Sequence, residues 1–218
     1  MTLGSILLSG AAILVLLGVG QRVLDKMHLS DRAALVIIAA MFIGGLLPDI
    51  DFGLVRINVG GALIPLGVCV YLLVRAENDE RVHAVMGAVV TSGLLYLLGR
   101  IMPEEPEKIF IDPVYLCGIV GGLAGYVFGH SRRGAFISGV AGVLLADVIN
   151  AIVVWSSGIA QTLRLGGAGI FDTAVISGLS AVLLAELIGE AMERVARMRG
   201  ARAESRRVHD PRKEGGHD

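Results

Sequence analysis

The chain has 218 residues and a formal net charge of −1, and only 18% of its residues are charged. Ala, Val, Ile, Leu, Met, Phe, Trp, Tyr and Cys together make up 54%, and the mean hydropathy is +0.72. Soluble domains average about 45–50% apolar residues, glycine included, and about 25% charged residues. The interior of a soluble domain of this size cannot enclose the excess. The composition therefore predicts an integral membrane protein and excludes disordered, collagen-like and disulfide-scaffold chains.

Seven apolar runs reach, or nearly reach, the roughly 20 residues that a transmembrane helix needs. They are 3–20, 33–48, 59–74, 82–101, 113–129, 135–155 and 169–188. We therefore predict an all-α fold, a polytopic transmembrane helix bundle of about seven spans within residues 1–190. Residues 191–218 are predicted to form a basic cytoplasmic tail, helical at its start and disordered beyond.

Lysine and arginine are divided unequally between alternate connections, and this bias sets the orientation of a membrane protein. The connections after the odd-numbered runs, with the tail, hold 15 of these residues, and the others hold four. The bias predicts an N-terminus outside and a C-terminus in the cytoplasm. The expected location is the cell membrane, specifically a bacterial cytoplasmic membrane, and the expected partner is the lipid bilayer.

The segment from Phe42 to Leu66 contains several residues that interrupt helices. Pro48 lacks the amide hydrogen that a helix needs, Asp49 and Asp51 follow it, and the Gly60-Gly61 pair comes later. We predict that the helices break here. The irregular backbone must then be buried in protein or face water, because lipid cannot satisfy it.

Asp147 and Asp172 are the most informative polar residues inside the apolar runs. A charge at the bilayer centre costs about 2.5–3.5 kcal/mol on insertion scales, so each needs an explanation. With a rise of about 1.5 Å per residue, Asp147 lies roughly 12 Å below the outer end of its helix and Asp172 roughly 6 Å below the outer end of the next. A modest tilt brings them level, and two carboxyl groups sharing a site can act as acid and base on a water.

This arrangement resembles the GxGD-type intramembrane aspartyl proteases, the presenilin and signal-peptide-peptidase group. In Gly167-Ala168-Gly169 the motif is followed by Ile170 and Phe171 before Asp172, and no tyrosine precedes Asp147. The resemblance implies that Asp147 and Asp172 are catalytic and that the substrate is a membrane protein. More broadly, the chain resembles an uncharacterised bacterial family of multi-pass membrane proteins, which implies no activity.

Small residues recur at every fourth position of the sixth and seventh runs, and such stripes let membrane helices approach closely. They are Gly134, Ser138, Gly142 and Ala146 in one run, and Gly169, Thr173, Ser177 and Ala181 in the other. If the two stripes faced each other, Asp147 and Asp172 would lie on opposite flanks of the contact. A shared site therefore requires each stripe to pack against another neighbour.

Two segments of the chain are similar to each other, and an arginine precedes each. They are Val59-Gly60-Gly61-Ala62 after Arg56, and Leu165-Gly166-Gly167-Ala168 after Arg164. Paired glycine-interrupted segments are typical of transporter binding sites, and exposed amides at helix N-termini suit anions. The predicted binding residues are Asn150, Gly166, Gly167, Gly169, Asp49 and Asp51.

Three classes of function remain open: an intramembrane aspartyl protease, a small-solute or cation transporter, and a non-catalytic membrane scaffold or regulator. Whether the chain is an enzyme is left undecided. The sequence has no Gly-Lys-Ser phosphate loop, no Cys-x-x-Cys and no His-Glu-x-x-His. We therefore expect no cofactor, no metal and no nucleic-acid partner.

Overall fold

The computed structural model describes residues 31–101, 113–129, 131–169 and 172–208. The first apolar run (3–20), most of the acidic loop after Ile101 and the last ten residues lie outside these ranges. The chain divides into two compact units, Met1–Ala185 and Glu186–Asp218. The sheet and the candidate site belong to the first unit, and the predicted boundary at residue 190 stays a prediction.

The described part is mostly helical and contains six α-helices. In chain order they are α1 (Asp31–Leu46), α2 (Ile64–Arg75), α3 (Asn78–Ile101), α4 (Pro113–Gly129), α5 (Arg132–Ser156) and α6 (Thr173–Val208). Of these, α3 with 24 residues and α5 with 25 are long and apolar enough to cross a membrane. Shorter apolar helical stretches are Val36–Leu46, Val59–Arg75, Leu116–Gly129 and Thr173–Gly189.

The expectation of an all-α fold needs a correction, because three short strands form a sheet at one end of the bundle, here called the sheet end. They are β1 (Ile50–Asp51), β2 (Val55–Ile57) and β3 (Leu163–Leu165). The order is β1-β2-β3, with β1 antiparallel to β2 and β2 parallel to β3. Strands of two or three residues are too short for a periodic pattern to predict them.

The predicted break between Phe42 and Leu66 is confirmed. Helix α1 ends at Leu46, a β-hairpin follows Pro48, and a π-helical turn over Val59–Leu63 leads into α2. At the hairpin turn, Asp51 Oδ1 accepts a hydrogen bond of 2.8 Å from the amide of Gly53, whose φ is +84°. Glycine adopts this left-handed conformation at no steric cost.

Asn58 determines where the helical backbone restarts. Its Oδ1 accepts hydrogen bonds from the amides of Gly60 at 3.0 Å and Gly61 at 2.9 Å. Asn58 is 4% exposed, so this cap is buried. A helix N-terminus leaves several amides without partners, and a capping side chain satisfies them.

Glycines let three irregular parts of the backbone meet at the sheet end. A Cβ added at Gly60 would lie 2.3 Å from the amide nitrogen of Gly45 in α1. A Cβ added at Gly61 would lie 2.4 Å from the carbonyl oxygen of Gly166, after β3. Real Cβ atoms do not approach backbone so closely, so glycine is required for this contact.

Helix α5 lies at the centre of the bundle and packs against α2, α3 and α4. The Ser138 hydroxyl of α5 donates a hydrogen bond of 3.1 Å to the Ala84 carbonyl of α3, and Gly142 faces Thr91 of the same helix. Ser177 of α6 instead lies against Gly121 of α4 and Gly139 of α5. At these positions the two stripes do not face each other, because the α5 stripe faces α3, but the α6 stripe still packs partly on α5 through Gly139.

Candidate functional site

A cavity of about 290 Å³ lies between the last turns of α5 and the segment that leads into β3. It is lined by Asp147, Asn150, Ala151, Gln161, Thr162, Leu163 and Arg164. Asp147 and Asn150 reach it together because residues three positions apart share a helix face. The indole nitrogen of Trp155 donates a hydrogen bond of 2.7 Å to the Gln161 carbonyl, which ties the connecting segment to the end of α5.

Among the described residues that line this cavity, Asp147 is the only acidic one. It is partly buried, and among the described residues its carboxylate has no hydrogen-bond or ion-pair partner. Its oxygens are open to the cavity, where a water, an ion or a ligand can supply the hydrogen bonds that a carboxylate accepts. The amide and hydroxyl groups of Asn150, Gln161 and Thr162 give the cavity further hydrogen-bonding capacity.

Arg164 lines the same cavity from β3 and carries the opposite charge. One of its terminal nitrogens is 3.0 Å from Asp49 Oδ2, and the arginine side chain is 58% exposed. Asp49 also accepts a hydrogen bond of 3.0 Å from the side-chain amide of Asn58. The hydrogen bonds from Asn58 and Arg164 lower the pKa of Asp49 below its ordinary value of 3.8.

Arg56 lies directly beside Arg164 on the neighbouring strand, in the parallel register that pairs these two residues. In both strands the arginine is exposed and its two neighbours are half-buried, so both arginines lie on the open face of the sheet. Arg56 pairs with Asp51 at 2.9 Å, across the β1–β2 hairpin. Arg56 and Asp51 are not among the residues that line the cavity.

Asp172 is the N-terminal cap of α6. Its Oδ1 accepts a hydrogen bond of 3.0 Å from the amide of Ala174, and its Oδ2 accepts one of 3.4 Å from the amide of Ala168. The prediction that Asp172 lies a few residues inside its helix is wrong, because α6 begins at Thr173. Asp172 does not line the cavity, but it is close enough to Asp147 for the two charges to interact.

The glycines that were predicted to bind a ligand lie in a turn rather than at an exposed helix N-terminus. The Gly169 amide donates a hydrogen bond of 2.8 Å to the Gly166 carbonyl, and both residues have positive φ. Gly166, Gly167 and Gly169 do not line the cavity. In the similar segment, Asn58 already occupies the amides of Gly60 and Gly61.

The structure therefore brings together only part of the predicted set. Asp147 and Asn150 share the cavity, Asp172 lies near Asp147, Asp49 is connected through Arg164, and Asp51 lies apart on the sheet. Sequence reasoning missed Gln161, Thr162 and Arg164 as cavity residues. The position of Arg164 before the second glycine segment could have indicated it. No feature of the sequence singled out Gln161 or Thr162.

No three His, Cys, Asp or Glu side chains are grouped so as to hold a metal ion within the described ranges. The expectations about metal and cofactor remain predictions. The cavity instead offers one carboxylate, one guanidinium and several neutral polar groups, which is a site suited to a small polar molecule.

The fold and the cavity define a class of protein. Its described residues are mostly helical, include two helices long and apolar enough to cross a membrane, and form a small polar cavity beside a three-stranded sheet. The chain belongs to the family described as "Protein of unknown function (DUF1614)", which matches residues 23–184. The prediction of an uncharacterised family is thereby confirmed. No curated protein and no solved structure matches the chain.

Proposed function

We propose that the chain is a multi-pass membrane transporter that binds a small polar solute, through a cationic group, in the cavity beside Asp147. The observation that carries this proposal is the carboxylate of Asp147, which faces a cavity and lacks a partner among the described residues. A carboxylate inside a membrane-spanning helix is costly. A bound cationic group would offset this unfavourable free energy through its attraction to the carboxylate, and it would give the residue a function.

The outer surface of the helices supports the membrane part of the proposal. On α3, Val82, Met86 and Val89 share one face and are 51–60% exposed. The opposite face is buried, with Ala84 and Thr91 at 0% exposure. Soluble monomers rarely leave large continuous apolar surfaces in water, whereas lipid is a suitable environment for them.

We extend the proposal to about seven spans, with the N-terminus outside and the C-terminus in the cytoplasm of a bacterial cell. The support is the division of lysine and arginine, 15 against four, between alternate connections. Arg56 and Arg164 belong to the smaller group, so this orientation puts the sheet end on the outer side. The cavity then lies in the outer half of the bundle.

The interrupted segments beside the cavity also support transport. The chain leaves α1 at Leu46 and leaves α5 at Ser156, and the two irregular segments meet through β2 and β3. The segment after α5 lines the cavity, and the segment after α1 is held beside it by the Asp49–Arg164 ion pair. Paired interruptions at a binding site are typical of transporters. Irregular backbone is tolerated at membrane depth where it is packed in protein or lines a cavity.

An intramembrane aspartyl protease is the second candidate, and the closeness of Asp147 and Asp172 favours it. The role of Asp172 as a helix cap gives that residue a structural explanation that needs no catalysis. A scaffold would need neither the cavity nor its unpaired carboxylate. We therefore place transport first.

Ligand-induced thermal stabilisation of the full-length protein in detergent tests the proposal. Butylammonium chloride should raise the unfolding midpoint of the unaltered chain, because a bound ligand stabilises the folded state. Asp147→Asn should abolish the response. Asp51→Asn is the matched control, because Asp51 lies outside the cavity, and it should retain the response. Equal responses in both variants contradict the proposal.

A second assay tests the protease candidate directly. If the chain is a transporter, a fluorescent transmembrane peptide incubated with the protein in liposomes should show no cleavage that depends on Asp147 and Asp172. Cleavage that both Asp147→Asn and Asp172→Asn abolish would replace transport with proteolysis as the function.

A further inference from the structure

We propose that the solute is a small zwitterion, whose cationic group binds at Asp147 and whose carboxylate binds at Arg164. This inference rests on the proposed function, since it assigns a chemical class to the ligand of the same cavity. A carboxyl group and a guanidinium, which can carry opposite charges, line one small cavity from two separate elements, α5 and β3.

The two charges do not neutralise each other. Arg164 forms its ion pair with Asp49, outside the set of cavity residues, while Asp147 has no ion pair in the described part of the chain. Opposite charges attract each other and pair when their side chains can meet. Asp147 and Arg164 line the same cavity without pairing with each other, so a ligand that carries both complementary charges can contact both.

Arg164 keeps hydrogen-bond donors for a ligand. A guanidinium has five N–H groups, and one terminal nitrogen is bonded to Asp49. Within the described residues, neither Nε nor the other terminal nitrogen has a hydrogen-bond partner. Asn58 holds Asp49 at 3.0 Å, so the ion pair fixes the orientation of the guanidinium. An oriented guanidinium can bind a carboxylate through two parallel hydrogen bonds.

Ligands of a single charge fit the cavity less well. A simple anion would approach Asp147 and the nearby Asp172, and both would repel it. A simple cation would pair with Asp147 but would gain no contact with Arg164. A zwitterion pairs with both fixed charges and brings no net charge into the cavity, so neither cavity charge is left without a partner. The volume of about 290 Å³ limits the ligand to a small molecule.

Arg56 provides an internal control. It occupies the register position next to Arg164, lies on the same face of the sheet and forms an equivalent ion pair, with Asp51. It does not line the cavity. Substitution of Arg56 therefore measures the effect of removing one arginine and its ion pair from the sheet. Substitution of Arg164 has the same structural effect and also removes the proposed contact with the ligand.

The test compares three probes with the same four-carbon chain: γ-aminobutyrate, butylammonium and butyrate. Each is titrated against the full-length protein in detergent, and the unfolding midpoint is measured. We expect γ-aminobutyrate to reach half-maximal stabilisation at a concentration at least about tenfold below that of butylammonium, because it adds charge-assisted hydrogen bonds to Arg164. Butyrate should have the weakest effect of the three.

Variants then assign the two charges. Arg164→Gln should bring the half-maximal concentration of γ-aminobutyrate to that of butylammonium, and Arg56→Gln should leave the tenfold preference unchanged. If Arg164→Gln does not fold, Arg164→Lys replaces it and should lower the preference, because an ammonium group cannot form the paired hydrogen bonds of a guanidinium.

Each contrary outcome has a separate meaning. Equal responses to γ-aminobutyrate and butylammonium on the unaltered chain would overturn the zwitterion and leave a cation site at Asp147. Stabilisation by none of the three probes would overturn the zwitterion and the proposed function together.

Discussion

Gly61 and Gly166 lie backbone against backbone where the two interrupted segments of the chain cross. A Cβ at Gly61 would lie 2.4 Å from the carbonyl oxygen of Gly166, and one at Gly166 would lie 2.4 Å from the amide nitrogen of Ala62. Gly166 also has a φ of +69°, which side chains rarely adopt. This contact joins the π-helical turn before α2 to the segment between β3 and α6.

Gly61→Ala should therefore destabilise the fold by about 1–3 kcal/mol or more, since the colliding atoms belong to backbone that cannot move aside. Gly67→Ala is the matched control, because an added Cβ there meets no atom within 4 Å. Alanine also favours a helix over glycine, so the control should be neutral or slightly stabilising. Thermal unfolding in detergent gives both values, and equal midpoints would contradict the packing described.

Asp49 should make the sheet end sensitive to acid. Its pKa is lower in the folded chain than the ordinary 3.8, because the hydrogen bonds from Asn58 and Arg164 favour the ionised form. The stability that it contributes is present above the unfolded pKa and is lost as the pH falls through the folded pKa. The unaltered chain should be more stable than Asp49→Asn at neutral pH, and this difference should shrink below about pH 4. A difference that is constant with pH would contradict this.

Asp172 should behave as a helix cap. Asp172→Ala should lower the free energy of unfolding by about 0.5–2 kcal/mol, because the amide of Ala174 loses its acceptor. Asp172→Ser retains a capping oxygen and should recover most of that loss. Unfolding midpoints of the two variants make the comparison, and a serine variant as unstable as the alanine variant would argue against capping.

Reporter fusions test the orientation. A reporter after Asp218 should behave as cytoplasmic and one inserted at Glu105 as external, because 15 of the 19 lysines and arginines lie in connections assigned to the cytoplasmic side. Alkaline phosphatase and a fluorescent protein report the two sides. Both reporters on the same side would change the number of spans by one.

The break in the first half of the fold was predictable because its residues act locally. Pro48 cannot continue a helix, and glycines such as Gly60 and Gly61 disfavour one, whatever lies around them. The point at which the helical backbone restarts depends on the Asn58 cap. The sheet was not predictable, because β2 and β3 are only three residues long and are separated by more than one hundred residues of chain. Asp172 was predicted to lie inside the apolar run. An aspartate directly before such a run is also a common helix cap, and this second interpretation agrees with the start of α6 at Thr173.

Prediction of the candidate site succeeded only where helix periodicity operates. Asp147 and Asn150 were placed together because their spacing puts them on one face of α5. Arg164, Gln161 and Thr162 reach the same cavity through a connection whose path depends on the pairing of β3 with β2. No local pattern determines that path. The glycines after Arg164 were noticed in the sequence and were predicted to bind a ligand. In the structure Gly166 instead makes a close backbone contact with Gly61.

The pairing of β2 with β3 also sets an order of events during synthesis. Val55 pairs with Leu163, more than one hundred residues later. At about 5–20 residues per second, a ribosome needs roughly 5–20 s to add that length of chain. Until then, the free side of β2 offers unpaired backbone groups that another strand could join. The sheet end is therefore completed late. A chain halted before Leu163 would keep an unpaired edge of β2, which β3 covers in the finished protein.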